Sequence, residues 1–291
     1  MFRGSIVALA TPMLGNGDVD YPALEALIDF HVREGTSAIL IAGTTGESAT
    51  LSSREHCDLL TRSYEIVNRR VPMLAGTGAN STAEAIELTE YAKKVGAEAA
   101  LLVTPYYNKP TQKGLILHYR AIAEAVDIPM VLYNVPGRTA CDMQADTVAE
   151  LARVRNIVGI KESTGSMERL ADIKRQVGDD FALLTGEDAS ACDFILNGGH
   201  GAVSVTANVV PGKMALMCKL AREGNEAEAR AADAEIADLH RLLFIESNPI
   251  PVKWALSQMG YGDLNLRLPM TELSPEHHEP LREALIACGA L

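Results

Sequence analysis

The chain has 291 residues, with 26 Lys or Arg against 38 Asp or Glu, a formal charge of −12 and a pI near 5.1. No basic run is longer than Arg69-Arg70 or Lys93-Lys94, so the concentrated positive face that a nucleic-acid backbone requires is missing. A composition 47% hydrophobic and 22% charged excludes disorder.

At the amino terminus the apolar run Ile6 to Ala10 stops at Thr11-Pro12. It is shorter than the roughly 7–15 residues of a secretory signal, and no later uncharged run approaches the roughly 18 that span a bilayer. A cytoplasmic protein is expected. Cys57, Cys141, Cys192, Cys218 and Cys288 are scattered, without Cys-x-x-Cys spacing, and read as reduced, mostly buried thiols.

Short apolar runs then recur: Ile6 to Ala10, Ala38 to Ala42, Val71 to Ala75, Ala99 to Val103, Ile128 to Tyr133, Ile157 to Lys161, Phe181 to Leu184 and Ala202 to Val205. They are apolar on both faces, as parallel strands covered by helices must be. Between them lie helix-like stretches with polar starts, among them Ser52 to Glu55 and Ser81 to Glu84, both capping-box patterns. This alternation predicts an α/β fold, a (β/α)8 TIM barrel. After Val205 only helices are expected, about Pro211 to Arg222, Ala227 to Leu243, Pro249 to Met259 and Pro275 to Cys288. The first closes the eighth unit. The division predicted is a catalytic barrel over 1–224 and a C-terminal helical appendage over 225–291.

Active sites of such barrels lie at the carboxyl ends of the strands. Those ends carry Gly43-Thr44-Thr45-Gly46-Glu47, Gly76-Thr77-Gly78, Thr104-Pro105-Tyr106-Tyr107, Tyr133-Asn134, Lys161-Glu162 and Gly186. Lys161 closes an apolar strand, whereas the other lysines read as residues of polar helices or loops. Period-2 geometry puts Ile157, Gly159 and Lys161 on one face, with Gly159 leaving room beneath the amine. Desolvation favours the neutral, nucleophilic form of an amine, which suits Schiff-base chemistry on a carbonyl. The same position also suits a lysine that snorkels outward or pairs with Glu162. Tyr133, Tyr107 and Thr44 offer hydroxyls for a proton relay, although a strand-end tyrosine can equally be a core residue. Arg138, after Asn134-Val135-Pro136-Gly137 in a short rigid loop, could grip a carboxylate or form a surface ion pair.

Other motifs fail. Gly76-Thr77-Gly78-Ala79-Asn80-Ser81 lacks the third glycine of a dinucleotide site, and the histidines, at 31, 56, 118, 200, 240, 277 and 278, form no ligand pair. No metal and no organic cofactor is expected.

Taken together, Gly43-Thr44-Thr45-Gly46-Glu47, Tyr133-Asn134-Val135-Pro136 with Arg138-Thr139, Gly159-Ile160-Lys161-Glu162 and Asn248-Pro249-Ile250-Pro251-Val252-Lys253 resemble the signatures of the dihydrodipicolinate synthase and N-acetylneuraminate lyase family of pyruvate-dependent aldolases. The resemblance runs end to end. With Thr44-Thr45, Tyr107, Tyr133 and Arg138 it is similar to the synthase branch rather than to the sugar-acid lyases. It implies that Lys161 forms an imine with pyruvate, whose enamine attacks L-aspartate 4-semialdehyde to give 4-hydroxy-tetrahydrodipicolinate, the committed step of the diaminopimelate route to lysine. It further implies a relay of Thr44, Tyr107 and Tyr133, with Thr45 on the pyruvate carboxylate and Arg138 on that of the semialdehyde. Backbone groups of Gly186 and Val203 come close by. Tyr107 would reach into a neighbouring subunit, with dimers paired into a homotetramer. Ser48, Ala49, His56, Asn80, Glu84 and Tyr106 match positions that bind the feedback inhibitor L-lysine, and Ser53 stands where some lysine-sensitive members carry histidine. The alternatives are a sibling sugar-acid aldolase using the same lysine, and a catalytically silent sensor.

Overall fold

The computed structural model describes residues 2–291. Eight parallel strands form a closed barrel: β1 Gly4–Ala8, β2 Ala38–Ile41, β3 Met73–Gly76, β4 Ala99–Val103, β5 Met130–Asn134, β6 Ile157–Glu162, β7 Ala182–Thr185 and β8 Gly201–Ser204. Because β1 pairs with both β2 and β8, closure leaves no unpaired sheet edge. The predicted (β/α)8 architecture is what forms, with helices between the strands and more helices after β8. Among the described residues, no helix is long and apolar enough to cross a membrane.

Alternate residues of each strand face opposite ways. Ile6, Ala38, Leu40, Leu74, Leu101, Val131, Leu184 and Val203 fill the barrel interior. Val7, Ile39 and Ile41 on one side, and Ala100, Leu102 and Leu132 on the other, pack outward under the helices. The strands slide slightly against the sequence runs: β1 begins at Gly4, where φ is +78°, and ends at Ala8, while Leu9 and Ala10 remain buried beyond it.

β6 departs from the simple alternation. Met130 pairs with Ile157 but Val131 pairs with Gly159, so a bulge leaves Val158 over. Ile157 therefore joins the outer cluster with Ile160, and Val158 packs against the interior one. The expectation that Ile157 and Lys161 share a face is corrected accordingly: the bulge flips the alternation between them and turns Lys161 inward. Nor does Gly159 make room for the amine. A Cβ there would meet Ala182 Cβ and O at 2.7 Å, so this glycine lets β6 and β7 close together.

Of the two capping patterns, Ser52–Glu55 closes in both directions at the start of helix Ser53–Val67. At Ser81 the hydroxyl accepts from Glu84 N at helix Thr82–Val95. The predicted helix over Ala227–Leu243 is two, Glu226–Ala234 and Ala237–Leu242, separated where Ile236 leaves helical geometry (φ −121°) and turns its side chain into the core. Leu239, Leu242, Trp254, Leu281 and Leu285 of this tail belong to the same apolar cluster as Val7, Leu27 and Met73 of the barrel half. The tail thus packs as a continuation of the barrel's outer layer.

Candidate active site

The carboxyl ends of the strands enclose a cavity of about 290 Å3 whose wall includes Thr44, Glu47, Gly76, Tyr133, Arg138, Lys161, Asn248 and Met270. The register pairs Tyr133 of β5 with Lys161 of β6. Lys161 is only 6% exposed, and its Nζ lies 4.2 Å from the centroid of the Tyr133 ring. An ammonium is attracted by a ring face; an amine at this spot also has the phenol as its immediate neighbour. The snorkelling and Glu162-paired arrangements are both absent. Glu162 points the other way, its Oε1 accepting from Thr164 N (2.8 Å) and its Oε2 from Asn134 Nδ2 (3.0 Å), with Arg169 Nη1 at 4.0 Å. Burial raises the Glu162 pKa, while those hydrogen bonds and the guanidinium oppose the rise. No hydrogen bond or ion pair reaches Lys161 Nζ among the described residues.

Gly186 makes the room that Gly159 does not. Its ideal Cβ would fall 2.5 Å from Lys161 Cε and 1.9 Å from Ser163 Oγ, so only a residue without a side chain lets the lysine lie across it. Its N–H donates to Glu162 O (2.9 Å), holding the β7 end against β6. Val203 lies in the interior cluster, with its backbone paired to Ile6.

The Gly43–Glu47 turn follows β2. Thr44 is on the cavity wall, the adjoining Thr45 is buried, and Glu47 adopts φ +55°. This turn is pinned from the C-terminal tail, by residues that a search along strand ends passes over. Asn248 Nδ2 donates to Thr45 Oγ1 (3.0 Å). Lys253 Nζ makes an ion pair with Glu47 Oε1, and Arg267 N donates to Glu47 Oε2 (3.1 Å). Lys253 is only 4% exposed within Ile250–Gln258, so it corrects the expectation that Lys161 alone sits in apolar surroundings. Burial pulls its pKa down, with the Glu47 charge pulling the other way. The available signal was a charge inside Ile250-Pro251-Val252-Lys253-Trp254-Ala255-Leu256.

Arg138 sits in a one-turn helix, Pro136–Thr139, rather than a loop, and reaches the cavity wall with its Nη2 donating to Asn248 O (3.3 Å). Tyr107 does not enter this chain's cavity: it is 90% exposed at φ +72°, an uncommon backbone state for a bulky residue.

The cavity continues outward past Ser48, Ala49, Ser53, His56, Glu84 and Tyr106. His56 Nε2 lies 2.8 Å from Gly76 O, and burial lowers its pKa against that bond. Burial, followed by the Glu84 carboxylate, raises the Tyr106 phenol. Asn80 stands just outside the wall, donating to Tyr106 O (3.3 Å) while its own carbonyl accepts from Asn108 Nδ2 (2.9 Å).

Comparison with known proteins agrees with this fold. Residues 1–288 match the model of the Dihydrodipicolinate synthetase family. The chain is 56% identical over 291 residues to a 4-hydroxy-tetrahydrodipicolinate synthase of Alcanivorax borkumensis, covering 100% of this chain and 99% of that one. It superposes with TM-score 0.98, at 50% identity and full coverage of both chains, on the chloride-inhibited dihydrodipicolinate synthase from Acinetobacter baumannii complexed with pyruvate. A Cyanidioschyzon merolae homologue with lysine bound gives TM-score 0.96 at 42% identity, covering 100% of this chain and 99% of that one. A closed barrel with a buried lysine at a strand end, matched in sequence almost from end to end, means that the chain belongs to the dihydrodipicolinate synthetase family.

Proposed function

We propose that the chain condenses pyruvate with L-aspartate 4-semialdehyde through a Schiff base on Lys161, giving 4-hydroxy-tetrahydrodipicolinate. The observation that carries this reading is the Lys161 amine, buried at the cavity floor beside Tyr133 with no carboxylate partner among the described residues. A neutral amine attacks the keto carbon of pyruvate, and loss of water gives the imine. Removal of a methyl proton then gives the enamine, whose carbon bonds to the aldehyde carbon while the aldehyde oxygen takes up a proton. The amino group of the new chain attacks the imine carbon, closing the ring and freeing Lys161. One water leaves per turnover.

Each proton movement needs a donor or acceptor at the nitrogen or the carbinol oxygen. Tyr133 serves there, relayed through Thr44 and through Tyr107 of a second subunit. Thr45 holds the pyruvate carboxylate, Arg138 that of the semialdehyde, and backbone groups of Gly186 and Val203 complete the floor. The projecting, left-handed Tyr107 supports a dimeric working unit, paired into a homotetramer. The outer part of the cavity, with Ser48, Ala49, His56, Asn80, Glu84 and Tyr106, is the L-lysine site in this reading. The lysine-bound relative supports it.

Borohydride reduction in the presence of pyruvate, followed by mass spectrometry, tests the central step. A pyruvyl adduct on Lys161, lost in Lys161→Ala, is expected. No adduct, or one on another lysine, overturns the reading.

A further inference from the structure

Asn248 is the point where the two carboxylate-holding groups of the proposed site meet. It is 5% exposed, yet it lines the same cavity as Lys161. Its backbone carbonyl accepts from Arg138 Nη2, and its side-chain amide donates to Thr45 Oγ1. The other amide atom, Oδ1, is buried with no hydrogen-bond partner among the described residues. A buried polar atom without a partner is uncommon in folded proteins and calls for a reason.

A threonine hydroxyl has one proton to give. Were the amide turned over, Oδ1 would accept that proton and the hydroxyl would have none left for an anion. In the arrangement found, the hydroxyl accepts from the amide and its proton stays free for another acceptor; either orientation leaves one amide atom without a partner, Oδ1 here and Nδ2 if turned. We infer that Asn248 is a positioning residue for pyruvate: its amide holds Thr45 with the hydroxyl proton available to the substrate carboxylate, while its backbone carbonyl separately steadies Arg138. The inference rests on the Schiff-base reading above. It adds to the active site a residue from the C-terminal tail, on a segment anchored by the Lys253–Glu47 ion pair.

The two attachments come from different parts of the residue, and this separates them by experiment. Substituting the side chain breaks the Thr45 link and leaves the carbonyl that receives Arg138. Asn248→Ala is expected to raise KM for pyruvate roughly five- to tenfold, in line with losing a hydrogen bond that orders a contact to a charged group. KM for the semialdehyde should stay within about twofold, since the Arg138 link is unbroken. Asn248→Asp, which takes the Thr45 proton instead of leaving it free, should raise the pyruvate KM further. In a Thr45→Val background neither substitution should add its full effect, because residues in one hydrogen-bond network are not additive.

A merely structural asparagine would lower thermal stability, kcat and both KM values together. Equal changes in the two KM values, full additivity with Thr45→Val, or an unchanged pyruvate KM in either Asn248 variant overturns the inference. The borohydride adduct keeps the underlying reading separate. An adduct on Lys161 in the native chain and, at raised pyruvate, in Asn248→Ala upholds the Schiff base even where the KM pattern fails. No adduct in the native chain overturns both.

Discussion

Replacing Lys253 by Met leaves the Glu47 carboxylate buried with one remaining donor, the Arg267 N–H at 3.1 Å. Both partners of the ion pair are nearly inaccessible, at 4% and 2% side-chain exposure. Removing one member of such a pair costs about 3–5 kcal/mol, chiefly because an unpaired charge stays behind. At about 2–4 °C per kcal/mol for a chain of this size, the single variant should melt roughly 6–20 °C lower. Removing both charges, in Glu47→Leu with Lys253→Met, takes away the stranded carboxylate and leaves only the Arg267 N–H without its acceptor, a loss of about 1–3 kcal/mol. The double variant should therefore be the more stable of the two. Thermal unfolding of the native chain, Lys253→Met and the double variant, at one pH and protein concentration, measures this. A double variant that melts at or below the single one would refute the assignment of the pair as a buried, mutually dependent unit.

Gly186→Ala sets a methyl where Lys161 Cε and Ser163 Oγ already lie; displacing the lysine should lower kcat about a hundredfold, and native turnover in this variant would contradict the packing argument. Tyr107→Gly removes a side chain from a backbone at φ +72°, so stability should hold or rise slightly while turnover falls; an active glycine variant would remove Tyr107 from the proton relay. His31 is buried and neutral, its pKa lowered to about 3 by desolvation. Because the unfolded chain titrates near 6.5, His31 contributes its full stability above that pH and loses it as pH falls toward 3, with a slope of up to about 1.4 kcal/mol per pH unit. Denaturant titrations over that range should flatten in His31→Gln, and an unchanged slope would assign the acid sensitivity elsewhere.

The barrel was legible because its strands are buried on both faces, so that Ile39-Leu40-Ile41 and Ala100-Leu101-Leu102 read as unbroken apolar runs. Lys161 and Tyr133 were legible for the same reason: a polar residue stands out at the end of such a run. The bulge at Val158 was not, because one extra residue leaves composition unchanged and shows only in the pairing with β5. The part played by Gly186 depends on a side chain that crosses it from another strand. Asn248 and Lys253 were visible as a recognisable segment, but their partners Thr45 and Glu47 lie 203 and 206 residues away. Periodicity reports which way a side chain points, and it carries no information about a contact over that separation.

That separation also bears on when the site comes into being during synthesis. The last strand ends at Ser204, and a chain grows from its amino end at roughly 5–20 residues per second. Every strand is therefore synthesised some seconds before Asn248 and Lys253, the residues that pin the Gly43–Glu47 turn. The lysine is thus made well before the residues that order the turn beside it, so the site is completed by the final stretch of polypeptide rather than by the sheet.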